Sequence, residues 1–138
     1  MTGFWVDVED DGTPGAALDA AGQGVRSFNH RSFSPLAAGQ PGWEHASDAY
    51  RALGELTYLA GGLPQAFEQI TRGLQAQLER GELGVDRGHE RTPEMAIAAL
   101  EATLEVAAVY ATTMHQAIAD AQSAIAAVHN AARDEATR

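Results

Sequence analysis

The sequence predicts an all-α protein: a long antiparallel helical hairpin with a short N-terminal helix, its bundle completed by oligomerisation. Three observations carry that expectation. Between Thr92 and Ala132 there is no glycine, and the one proline, Pro93, sits where a helix begins. Along the same stretch apolar residues fall at Ile97, Leu100, Leu104, Ala107, Ala111, Met114, Ile118, Ala121, Ile125 and Val128. Their steps alternate between three and four, the seam of a helix that packs lengthwise on another. A second line, Leu53, Leu56, Ala60, Leu63, Phe67, Ile70 and Leu74, has the same period. At 1.5 Å per residue the segment 92–131 would be about 60 Å long, too long to bury its seam on one compact core, so an equally long helix should lie beside it.

A chain of 138 residues with 45% apolar content suits a single domain, and it is read here as one, 1–138. At the N-terminus, 1–13 reads as an arm. Phe4, Val6 and Val8 alternate with Trp5, Asp7 and Glu9 at a strand period, with no second strand to pair with. Thr13 then caps and Pro14 opens a short helix, 14–29, whose stripe is Leu18, Ala21, Val25 and Phe28. Gly22 and Gly24 each weaken it by roughly 1 kcal/mol relative to alanine. Asn29-His30 is the expected stop, because asparagine tolerates the left-handed conformation and a cationic histidine suits the negative helix end.

Residues 31 to 46, rich in serine, proline and glycine, read as a loop anchored by Phe33, Leu36 and Trp43. Ser47 is the expected cap of a kinked long helix, 47–80. Its apolar line passes in phase through Gly61-Gly62-Leu63-Pro64, so Gly61, Gly62 and Pro64 form a hinge in one bent helix; two helices, 47–60 and 63–80, are the alternative. Residues 81 to 91, with three glycines and five charged residues, read as a solvated tip. Thr92, Pro93 and Glu94 then supply the cap, the first helical position and the first-turn acid of the last helix, 92–131.

Arg26-Ser27-Phe28-Asn29-His30, Gly42-Trp43, Ser47-Asp48-Ala49-Tyr50, Leu53-Gly54-Glu55-Leu56 and Leu63-Pro64-Gln65 occur in that order. In this they resemble the landmarks of a group of small helical proteins from Streptomyces and related actinobacteria. The likeness covers roughly residues 26 to 75 and implies a helical fold. It implies no activity, ligand or catalytic residue. Gly61-Gly62 departs from the helix-forming residues usual before Leu-Pro-Gln in that group. Secreted hairpins with a Trp-x-Gly turn do not fit, since Trp43 is followed by Glu44-His45 and the tip at 81–91 holds no tryptophan.

The formal net charge is −10, and all nine basic residues are arginine. Scattered arginines on an acidic chain argue against direct nucleic-acid binding and against anionic membrane, which both need clustered cations. No cysteine is present, which removes thiolate nucleophiles and zinc–thiolate sites. With no charged leader segment and no run of about 18 apolar residues, the chain reads as cytoplasmic.

A catalytic or cofactor site finds no support either. No glutamate has histidine three residues later, as a di-metal bundle needs, and neither a nucleophile elbow nor a phosphate loop occurs. Glu101 and Glu105 share a helix face without histidine, and His115 and His129 lie about 21 Å apart on one line, too far to share an ion. The sequence therefore points to a non-enzymatic protein–protein interaction or self-assembly role without cofactors, a homodimer being favoured. The alternative is an acidic regulatory binder of a basic protein or a nucleic-acid mimic, since Glu94, Glu101, Glu105 and Asp120 are the only charges between Thr92 and Ala132. A small-ligand site around Trp43 and Pro64 is the third reading.

Overall fold

The computed structural model describes residues 12–32 and 45–129. The N-terminal arm, the loop anchors Phe33, Leu36 and Trp43, and the segment from residue 130 onward lie outside them. The fold is all-α, with three helices, α1 (Pro14–Ser32), α2 (Ala46–Glu79) and α3 (Pro93–Ala124), and no strand among the described residues. It divides into two compact units, Met1–Asp48 and Ala49–Arg138.

In the first unit, α1 begins where expected, at Pro14, with the Ala16 N–H on the Thr13 carbonyl at 3.1 Å. It continues past Asn29-His30 to Ser32. Asn29 does not take the left-handed conformation, since no described non-glycine residue has positive φ, and so it cannot stop the helix. The end is instead supported by the Ser32 hydroxyl, which donates to the Phe28 carbonyl at 2.8 Å, and by His30 and Arg31 in the last turn. No residue of α1 is buried, and Leu18, Val25 and Phe28 of its stripe are exposed.

The start of α2 departs from the expected Ser47 cap. The His45 backbone N–H donates to Asp48 Oδ2 at 3.0 Å, while the Asp48 N–H reaches the His45 carbonyl at 3.0 Å. A carboxylate at the third helical position thus satisfies the cap residue's own N–H, the acidic half of a capping box, and Ser47 lies inside the first turn. From there α2 runs unbroken for 34 residues, through Gly61, Gly62 and Pro64, which settles the choice in favour of one helix. Its end is a Schellman motif. Gly81, at φ 69°, bonds its N–H to the Leu78 carbonyl at 3.0 Å, and the Glu82 N–H reaches Gln77 at 3.1 Å.

The N-terminus of α3 follows the expectation residue by residue. Thr92 is extended (φ −76°, ψ 162°), its hydroxyl accepts from the Met95 N–H at 3.2 Å, and Pro93 and Glu94 occupy the first turn. The C-terminus does not. Helix α3 stops at Ala124, short of the expected 131, and Ile125, Ala126 and Val128 close tighter turns through bonds to residues three earlier.

The helices α2 and α3 meet at three side-chain bonds whose order on α3 is the reverse of that on α2. Gln122 donates to the Tyr50 carbonyl at 3.2 Å, His115 Nδ1 lies 2.9 Å from the Thr57 carbonyl, and Gln75 donates to Glu101 at 3.3 Å. A carbonyl can only accept, so His115 carries its proton on Nδ1 in this contact.

Each of the first two bonds is paired with a glycine. A Cβ at Gly54 would stand 2.8 Å from Gln122 Nε2, and one at Gly61 would stand 3.0 Å from His115 Nδ1 and Cε1. The glycines are one heptad apart on α2, as His115 and Gln122 are on α3. The missing side chain lets a polar group reach a main-chain carbonyl one turn back, at Tyr50 and at Thr57. Gly62 faces open space. Gly62→Ala is therefore expected to raise the unfolding free energy by about 1 kcal/mol, and Gly61→Ala to gain clearly less because the imidazole must move. Urea unfolding of the two variants tests this, and equal gains would remove the close approach at Gly61 from the account.

Candidate functional site

The ten seam residues do not share one environment. Ala111 is buried at 4% exposure, and Ile97, Leu100, Leu104, Ala107, Ile118 and Ile125 are half-buried. Met114, Ala121 and Val128 are exposed, and His115 and Gln122 face α2 instead. The reason is geometric. A straight α-helix drifts about 20° per heptad against a strict seven-residue repeat. Over the length of α3 the line Leu100, Ala107, Met114, Ala121 rotates out of contact, and Val128 lies beyond the helix end. The line Ala108, His115, Gln122 rotates in. From the sequence His115 reads only as half of a metal pair too widely spaced with His129, and Gln122 carries no signal of its own; the matching spacing of Gly54 and Gly61 is what marks both. Of the hinge residues, Gly61 and Gly62 are exposed and Pro64 is half-buried.

One flank of the helix pair is charged. Glu68, Arg72 and Gln75 from α2 and Glu101 and Glu105 from α3 rim a groove of ≈ 420 Å³ floored by Pro64, Phe67, Leu104 and Ala108. Glu68 and Arg72 form an ion pair one turn apart, and both are largely in water, where such a pair contributes little. Thr71, at 9% exposure, satisfies its hydroxyl on the Phe67 carbonyl at 3.2 Å, so no unpaired polar side chain points into the groove from it. Among the described residues no group of three or more His, Asp or Glu is placed to hold a metal. Trp43, the other half of the expected ligand site, lies outside the described residues.

The other flank is apolar, with the exposed Glu55, one turn before Leu59 on α2, at its edge. At 100° per residue, Leu59 and Ile70 point away from the groove on α2, and Tyr110 and Met114 point away from it on α3, with Val106 at their edge. All five are exposed: Leu59 37%, Ile70 44%, Val106 54%, Tyr110 71% and Met114 44%. Because the groove draws on one side of both helices, these residues share the opposite side. The positions between them, Ala52, Leu63 and Ala66 on α2 and Ala99, Thr103 and Ala117 on α3, carry no charge either. Isolated exposed apolar residues are ordinary on a soluble surface, whereas a contiguous set is not.

By length and composition alone α3 could cross a membrane. Its longest uncharged run, between Glu105 and Asp120, is 14 residues and includes His115 and Gln116. That falls short of the roughly 20 apolar residues that a hydrocarbon core requires.

Comparison with protein-family models, with curated proteins and with solved structures finds no match to this chain.

Proposed function

We propose that the protein is a non-enzymatic, self-assembling helical-bundle protein, in which α2 and α3 form a long antiparallel hairpin that a second copy completes. The observation that carries this is how little the two helices bury. Among the described residues only Ala60, Ala111 and Thr71 are buried, and no large side chain is fully enclosed. Helices of 34 and 32 residues are about 50 Å long, and helical stability in water rests mainly on packing an apolar face. Ala60 and Ala111 supply little of that, so the large side chains left outside are the material of a further packing layer.

Light-scattering mass at several concentrations tests the reading. The expected result is a species of twice the 14.6 kDa chain mass. A monomer at every accessible concentration, unfolding cooperatively, overturns it. A second reading, an acidic binder of a basic protein, is favoured by the groove rim and by the absence of lysine and arginine from α3. Capture of such a partner should weaken steeply with salt.

A further inference from the structure

We propose that the second copy docks on the apolar flank marked by Leu59, Ile70, Tyr110 and Met114, in a two-fold contact that leaves Glu55 at the rim and the acidic groove on the outside. This rests on the self-assembly reading above and adds the surface and its polarity.

The charge distribution selects the occupant. Each chain carries a formal −10, so two copies approach against their own repulsion. At physiological ionic strength that repulsion decays over about 8 Å, while a helix with its side chains is about 10 to 12 Å across. Contact through the flank thus sets Glu68, Glu101 and Glu105 of both copies more than one screening length apart. Contact through the groove would bring them together. A basic protein would be drawn to the groove side, where the acid is, and anionic lipid would need lysines or arginines that the flank lacks.

Size points to the same occupant. The surface to be covered runs along helices about 50 Å long, and an isologous contact meets it with a surface of equal length and equal apolar character. Tyr110, at 71% exposure, brings a large ring and a hydroxyl, the kind of side chain that anchors such contacts.

The chain has no cysteine, so one introduced thiol reports on one place. Met114→Cys and Thr112→Cys place it on the flank and on the groove side of the same helix turn; Thr112 is exposed too. In the full chain, at concentrations above and below dimer dissociation, the Met114→Cys thiol should react with maleimide at least about tenfold more slowly in the dimer, the ratio expected if one conformer in ten exposes it. The Thr112→Cys thiol should react equally fast in both. In parallel, Met114→Glu should weaken dimerisation at least about tenfold and Thr112→Glu by less than about twofold, because only the first buries a carboxylate without a partner.

A dimer in which Met114→Cys is not protected overturns the proposed surface and leaves self-assembly standing. A wild-type monomer overturns both. Protection that appears only when phosphatidylcholine vesicles are added assigns the flank to lipid and also overturns the proposal. The thiol variants, which change little volume or charge, keep the question answerable if Met114→Glu does not fold.

Discussion

Ala111→Leu is expected to destabilise the helix pair by about 1 to 3 kcal/mol, read as earlier thermal loss of helicity. At 4% exposure Ala111 is one of the two buried apolar residues described. The register of the Thr57–His115 contact sets it opposite Ala60 and Gly61, where Ala60 is 1% exposed and Gly61 already meets the His115 ring. Two small residues here allow the backbones to approach, and a branched side chain must push them apart or leave its rotamer. Separation would also stretch the His115 bond to Thr57, so packing and hydrogen bonding should fail together. Ala98→Leu, on an exposed position of α3, is the control and should change stability by no more than about 0.5 kcal/mol. Equal effects at the two positions would remove the tight approach from this account.

Pro64→Ala is expected to act in the opposite direction, raising stability by as much as about 3 kcal/mol and increasing helicity. Helix α2 continues through Pro64, whose ring nitrogen cannot donate to the Ala60 carbonyl. Ala60 is almost fully enclosed, so water is poorly placed to replace that donor. Alanine restores the bond and removes the clash of the ring with the preceding turn. The counterweight is the wall that Pro64 contributes to the groove beside Phe67 and Leu104. A fall in melting temperature on substitution would show that this wall outweighs the missing bond.

The parts of the fold that were legible in the sequence are those fixed by local chemistry. Thr92-Pro93-Glu94 sets the start of α3 through one hydroxyl and one fixed φ, and Gly81 ends α2 through one positive φ. Neither depends on what the rest of the chain does. The end of α3 is a different case: Ala-rich sequence favours helix as far as residue 131, but α3 ends at Ala124 in tighter turns that no glycine or proline marks. The cap of α2 was misplaced by two residues because serine is the commoner cap, while the observed contact depends on Asp48 reaching back to the His45 backbone. Along the seam, the line Ile97, Leu104, Ala111, Ile118 and Ile125 is at least half-buried throughout, while helical drift turns Met114 and Ala121 of the other line outward and brings two polar side chains to the contact.

Recognition of α2 by α3 at His115 and Gln122 is addressed to main-chain carbonyls, not to side chains. Every residue has a carbonyl, so the identities of Tyr50 and Thr57 are immaterial to these two bonds; the Thr57 hydroxyl is engaged elsewhere, on the Leu53 carbonyl at 2.8 Å. The restriction falls where no side chain exists, at Gly54 and Gly61. A related chain that keeps this pairing is therefore marked by two glycines one heptad apart, facing two planar polar side chains at the same spacing.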